Sequence, residues 1–299
     1  MAGCRYCGVA LLAVVMTVAA APQTRTLASV WYRGKPAGVP RQMDIDAIAA
    51  AGFSAVTWPR LQVSGAMDLR RMAEAAGLQV VIRTEPVPLT SASAQTPDTH
   101  VDILVPQTPV PQYPALMWRA VAHGAKVISF DAGAAEGNAL LDQSGRPAAW
   151  VEPASAVARQ LVRNATMIDL LTAGPIVRVE PQASGLDVTL LDARRSWVLM
   201  ATNVSPPGTP PADTYVFLPR PVPPAEWLNL FDGSTISMLR RPTDVRWHVV
   251  LGPGDVRVYV IGKIEALTSL RPFRRTRSPA FAPRGHQTPQ SPPGSAWWP

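Results

Sequence analysis

Carboxylates and tryptophans placed at the ends of predicted strands are the residues of this sequence best suited to chemistry. Glu85 follows LQVVIRT and precedes Pro86, Asp131 follows VISF, and Glu136 precedes Gly137. Two carboxyl groups about 5.5 Å or about 6.5–9.5 Å apart can divide the work of proton donor and nucleophile or base between them. Glu85, Asp131 and Glu136 are therefore the candidate catalytic residues, and Asp98 and Asp102, flanking a predicted strand start, rank below them. Trp31, Trp58 and Trp118 are the candidate substrate contacts, because a broad apolar ring face suits a sugar as well as a core. Arg83 leaves its strand beside Glu85 and is placed either to meet a ligand oxygen or to pair with that carboxylate. The histidines His100, His123, His248 and His286 are too scattered to propose a metal, and no cofactor is called for. His123 reads as a cap or core partner.

Three repeated units must position these side chains. In DIDAIAAAGFSAVTWP, Asp44 is a candidate cap and Ile45, Ile48 and Ala49 have helical spacing; Gly52 ends the helix, and Phe53 to Trp58 read as a buried strand. MDLRRMAEAAGLQVVIRTEP repeats the pattern, with Leu69, Met72, Ala73 and Ala76 on a helix face and Leu78 to Ile82 as the strand. The third unit runs from an Ala115–Ala122 helix through His123-Gly124 to a Lys126–Phe130 strand. LASVWYRG opens the region as a strand, and Ser155 to Leu171 close it as a long helix. Strands read as apolar on both faces imply a parallel sheet covered by helices, with functional groups at the strands' carboxyl ends. From Pro175 the pattern changes to short runs of period two, IVRVE, LDVTLL, WVLMATNVS, TYVFLP and VRVYVI, the signature of an antiparallel sandwich or small barrel.

The N-terminus carries a different message. Arg5 precedes an uncharged, mainly apolar run from Gly8 to Ala20, with Ala-x-Ala-like sites at its end. This predicts a signal peptide over residues 1–20, cleaved to leave a secreted or periplasmic protein; the alternative is an uncleaved N-terminal anchor. Cys4 and Cys7 both lie inside it, so the mature chain has no disulfide, cysteine nucleophile or thiolate metal site. Much of the net charge of +7 gathers near the C-terminus, where Lys263, Arg271, Arg274, Arg275, Arg277 and Arg284 face only Glu265. Residues 264–299 read as a basic, Pro-rich disordered tail that is solvated or contacts an anionic surface. No motif supports a specific nucleic-acid partner. Asn164 and Asn203 match the glycan-acceptor pattern. The oligomeric state has no sequence signal.

The segment AGFSAVTWP…LRRMAEAAGLQVVIRTEP resembles the N-terminal barrel units of glycoside hydrolases of the β-galactosidase type. VPQTPVPQYPALMWRAVAHGAKVISFDAG…GNALLDQSGRP resembles their last barrel units, and WLNLFDGSTISM…WHVVLGPGDVRVYVI their C-terminal β domains. The resemblance covers roughly residues 30 to 262. It implies an α/β, TIM-barrel-like parallel domain over 27–174, followed by a small antiparallel β-sandwich over 175–263. Residues 27–174 are far fewer than the about 250 of a complete barrel, so the barrel is expected to be incomplete or shortened. The sequence has no Asn-Glu pair, which in that group often carries the acid/base glutamate. Where the nucleophile glutamate would stand, VDILVPQTP offers Pro106 and Gln107. The resulting expectation is an exported protein acting on or binding carbohydrate, with hydrolase activity weakened or lost. The alternatives are a non-catalytic binder of carbohydrate or a cell-surface component, and an exported structural protein with a basic tail.

Overall fold

The computed structural model describes residues 26–34, 38–60, 65–84, 86, 100–132, 140, 147–194, 196–219, 226–236, 239–240 and 244–262. The expected signal segment, the basic tail, Glu85 and Glu136 lie outside these residues. No described helix is long and apolar enough to cross a membrane.

The first layer alternates strands and helices: β1 (Leu27–Trp31), α1 (Gln42–Ala50), β2 (Ala55–Pro59), α2 (Ala66–Ala75), β3 (Gln79–Arg83), β4 (His100–Leu104), α3 (Tyr113–Ala122), β5 (Val127–Asp131) and α4 (Val151–Ile168). Each repeated unit turns where the sequence places glycine. Gly52 and Gly124 have φ of 91° and 92°, which let the chain leave a helix and enter the next strand without the Cβ penalty. The five strands form one parallel sheet in the order β3-β2-β1-β5-β4. β1 is central, and the last strands of the unit return to lie beside the first. Among the described residues no strand pairs with the outer side of β3 or of β4.

One face of this sheet is apolar and covered by helices. Ala28, Val30, Val56, Trp58, Val101, Ile103, Ile128 and Phe130 form a single core with residues of all four helices, such as Ile45, Leu69, Met117 and Val157. The opposite face differs from the sequence expectation. β1, β4 and β5 are not apolar on both sides; this face carries Ser29 and Trp31, His100 and Asp102, and Ser129 and Asp131, two of the three residues that each strand turns to it.

The second layer is all antiparallel. It comprises β6 (Thr172–Ala173), β7 (Arg178–Glu180), β8 (Leu186–Asp192), β9 (Ser196–Asn203), β10 (Ala212–Pro219), β11 (Glu226–Asn229), β12 (Thr235–Ile236), β13 (Leu239–Arg240), β14 (Asp244–Leu251) and β15 (Val256–Gly262). They make a four-stranded sheet, β13-β14-β10-β7, and a six-stranded sheet, β12-β11-β15-β9-β8-β6. Leu199, Val216, Leu218, Trp227, Trp247 and Tyr259 fill the space between the sheets. The other face of the six-stranded sheet, through Val198, Met200, Val258 and Val260, joins the core of the first layer. The contact is made by α3, eight of whose ten residues are buried.

Candidate functional site

The polar face of the parallel sheet is concave. Side chains from strands that are not neighbours in the sheet meet across it, which a flat sheet would keep about 9–10 Å apart. Thr57 on β2 and Ser129 on β5, separated by β1, have hydroxyl oxygens 3.0 Å apart. Trp31 on β1 and Asp102 on β4, separated by β5, are joined by the indole N–H at 2.5 Å. Arg83 at the end of β3 reaches the His100 carbonyl on β4 at 3.5 Å, linking strands from the sheet's two opposite edges.

The face is built in two tiers. In the lower tier, Ser29 Oγ lies 2.7 Å from Thr57 Oγ1, Thr57 contacts Ser129, and Ser129 Oγ lies 2.8 Å from His100 Nε2. Ser29, Thr57, Asp102 and Ser129 have no exposed surface, so these hydrogen bonds meet the need of buried polar groups for partners. His100 presents the same nitrogen, Nε2, to Ser129 and, at 3.4 Å, to Asp102 Oδ1. A Ser-His-Asp relay needs opposite ring nitrogens for its two partners, so this trio does not activate Ser129 as a nucleophile.

The upper tier sits at the carboxyl ends of the strands. Both oxygens of Asp131 accept from Arg33, at 2.8 Å from Nη1 and 3.1 Å from Nη2. The same guanidinium lies 5.3 Å from the centre of the Trp31 ring. The segment leading from β1 into α1 is fastened by Tyr32, whose hydroxyl donates to Asp44 Oδ2 and accepts from the Arg41 amide. Arg41 grips both oxygens of Asp44. Burial, with the adjoining Asp44 carboxylate, pushes the Tyr32 phenol above its ordinary range, so it stays a neutral donor.

The described candidates fall in three regions. Trp31, Arg83 and Asp131 belong to the concave face. Trp58 lies on the helix side of β2, fully buried and 5.8 Å from the Tyr32 ring. Trp118 lies on α3 at the junction of the two layers, edge-on to Phe231 at 5.7 Å. His123 is a packing partner, its Nε2 2.5 Å from Asp187 Oδ2 on β8. Asp102, a lower-ranked candidate of the sequence, also belongs to the concave face; the sequence reading missed Arg33, the pairing of His100 with Asp102 and the Ser29–Thr57–Ser129 chain. Their signal was the period-two spacing S-x-W, H-x-D and S-x-D repeated in three strands. Asn164 and Asn203 are buried with their amides donating to the Gln160 and Leu251 carbonyls, so neither is displayed as a glycan acceptor. No group of three or more metal-ligating side chains occurs among the described residues.

No protein-family model matches the sequence, and no curated protein matches it. Solved structures similar to this one include a GH27 β-L-arabinopyranosidase of Geobacillus stearothermophilus, at 9% identity and a TM-score of 0.36. That match covers 75% of this chain and 61% of the arabinopyranosidase, so the chain spans less than two thirds of its length. An α-fucosidase of Thermotoga maritima matches at 9% identity and a TM-score of 0.45, over 75% of this chain and 79% of that one. A GH30 endoxylanase of Clostridium papyrosolvens matches at 9% identity and a TM-score of 0.36, over 79% and 96%. All three are glycoside hydrolases, and none is a β-galactosidase.

Proposed function

We propose that this chain is an exported carbohydrate-binding protein on a shortened glycoside-hydrolase barrel, with its ligand face at the carboxyl rim of the parallel sheet. The strand order supports the barrel reading. Stepping through β4, β5, β1, β2 and β3 moves in one direction across the sheet, as do five consecutive strands of a singly wound barrel. The kinship with the β-galactosidase type rests on the sequence segments, and export on the N-terminal segment.

The state of the two described carboxylates, Asp102 and Asp131, supports the binding reading. Glycoside hydrolysis needs one carboxyl group to give a proton and another to attack the sugar or activate water. On the concave face, Asp131 is held through both oxygens by Arg33, and Asp102 accepts from the Trp31 indole beside His100. Both described carboxylates thus serve as structural acceptors. Arg33 and Arg83 remain in part exposed at the rim, and they are the ligand contacts of this reading.

A glycan array followed by calorimetry tests the reading, alongside chromogenic glycosides of several sugars. Binding without release of product, weakened about tenfold by Arg83→Ala, is the expected result. Hydrolysis that Glu85→Gln abolishes would establish the enzyme instead. Absence of binding across the array would overturn both.

A further inference from the structure

A cavity of about 450 Å³ opens at the seam of the two layers. It lies between the end of α3, the start of β5, the connection that carries β6, and β8. Its walls are mainly apolar. Val121, Leu171, Val177, Val188 and Leu190 line it, and Ile176 stands beside them 94% exposed. A concave, largely apolar site of this size with a few placed polar groups is the usual setting for a small molecule.

His123 and Lys126 are the titratable side chains of the lining. Lys126 Nζ donates to the Ile168 carbonyl at 2.8 Å. Burial pulls this ammonium below its ordinary range, against the attraction of Asp169. His123 Nε2 lies 2.5 Å from Asp187 Oδ2, and Arg119 Nε lies 3.3 Å from the same oxygen. The cations here are thus answered by two carboxylates outside the lining, Asp169 and Asp187, and the cavity does not call for an anion. Burial raises the Asp187 carboxyl, but His123, Arg119 and the Thr189 hydroxyl outweigh it and keep the group ionised. An ionised carboxylate only accepts, so the neutral His123 ring keeps its proton on Nε2 and offers Nδ1 as an acceptor. Nδ1 makes no hydrogen bond among the described residues, and the side chain is 30% exposed.

We propose that this cavity binds a small apolar molecule carrying one hydroxyl group, which donates to His123 Nδ1 while its apolar body meets the walls. A carboxylate would set its charge against the lone pair of Nδ1, and a plain hydrocarbon would leave that nitrogen without a donor. The cavity is separate from the carboxyl rim of the parallel sheet, and the proposal does not rest on the function proposed for that rim.

Calorimetry of the full chain at about pH 8, above the range in which histidine ordinarily charges, tests this with p-butylphenol as the probe. The analogue p-butylanisole keeps the apolar body and lacks the donor, and p-butylbenzoate replaces the donor with an anion. The phenol should bind, and each analogue should bind about tenfold more weakly. His123→Phe should lower phenol affinity about tenfold and leave that of the anisole unchanged. Ala173 lines the cavity from the exposed strand β6, so Ala173→Trp keeps the fold and should remove binding by filling the space. That variant tests the site even where His123→Phe, which also takes a partner from Asp187, fails to fold. Absence of phenol binding, equal or tighter binding of either analogue, or full binding by Ala173→Trp would overturn the proposal.

Discussion

Arg33→Met asks how much of the concave face depends on one ion pair. The substitution keeps an apolar stem and removes the guanidinium that holds both oxygens of Asp131. The Asp131 side chain is 5% exposed and that of Arg33 17%, so the pair is neither a surface bridge nor a fully sealed one. Exposed pairs contribute about 0.2–1 kcal/mol, whereas removing one member of a buried pair costs about 3–5 kcal/mol. The partial exposure of Arg33 sets the expected loss between these, at about 2–3 kcal/mol. For a folded region of this size each 1 kcal/mol moves the midpoint by roughly 2–4 °C, so Tm should fall by about 4–12 °C. Asp131→Asn should cost less, about 1 kcal/mol, because an amide needs no counter-ion. The double variant should therefore recover at least about 1 kcal/mol relative to the sum of the singles. Urea unfolding of all four proteins measures this cycle. A loss below about 1 kcal/mol for Arg33→Met, or strict additivity, would refute the view that the pair organises the rim.

Three further perturbations address the junction of the layers. Trp118→Ala should cost about 3–5 kcal/mol in urea unfolding, because it opens a cavity between α3 and Phe231, and Trp118→Phe should recover part of that loss. Gly254→Ala should cost about 1–3 kcal/mol in the same assay, because its φ is +83° and a Cβ would stand 2.4 Å from the Pro111 carbonyl oxygen. Burial pushes the Asp187 carboxyl up, but His123, Arg119 and the Thr189 hydroxyl outweigh it and leave the group below its ordinary value. Its lowered folded value means that the stabilisation is complete above the ordinary carboxylate value of 3.8 and is lost as pH falls through the folded one. The stability gap between the parent and Asp187→Asn should accordingly close only below about pH 4 in a pH series of unfolding curves.

The local order of the first layer was legible because its units repeat. The Ala-Ala-Gly and Ala-His-Gly turns end helices, and the apolar runs after them are strands. The long closing helix was also legible, though it spans Val151–Ile168 rather than Ser155 to Leu171. The period-two runs after Pro175 were similarly direct. The concave face was hidden for a physical reason. β1, β4 and β5 are buried on both sides, so their polar residues are short or ring-bearing groups bonded to one another and dilute the apolar pattern only slightly. A tightly curled sheet made those partners, and curling depends on strand order, which local sequence does not carry. Arg33 was missed because LASVWYRG read as one strand through it, whereas β1 ends at Trp31 and frees Arg33 to reach Asp131. Trp58 and Trp118 look equivalent to Trp31 in the sequence, yet alternation sends Trp31 to the polar side of its strand and Trp58 to the apolar side of its own.

The burial of α3 has a consequence for how such a chain can change over time. A helix with eight of ten residues buried has almost no solvent face, and neither layer alone could shelter it. The two layers are therefore one cooperative unit and not exchangeable modules. A cut before β6 would leave Met117, Trp118 and Val121 without the six-stranded sheet, and the sandwich alone would bare Val198, Met200 and Val258. Loss or gain of strands at the β3 edge leaves this seam untouched, whereas the β4 edge packs against α3 itself. Shortening can therefore proceed at the β3 edge, while any recombination between the layers must carry the helix and its sheet together.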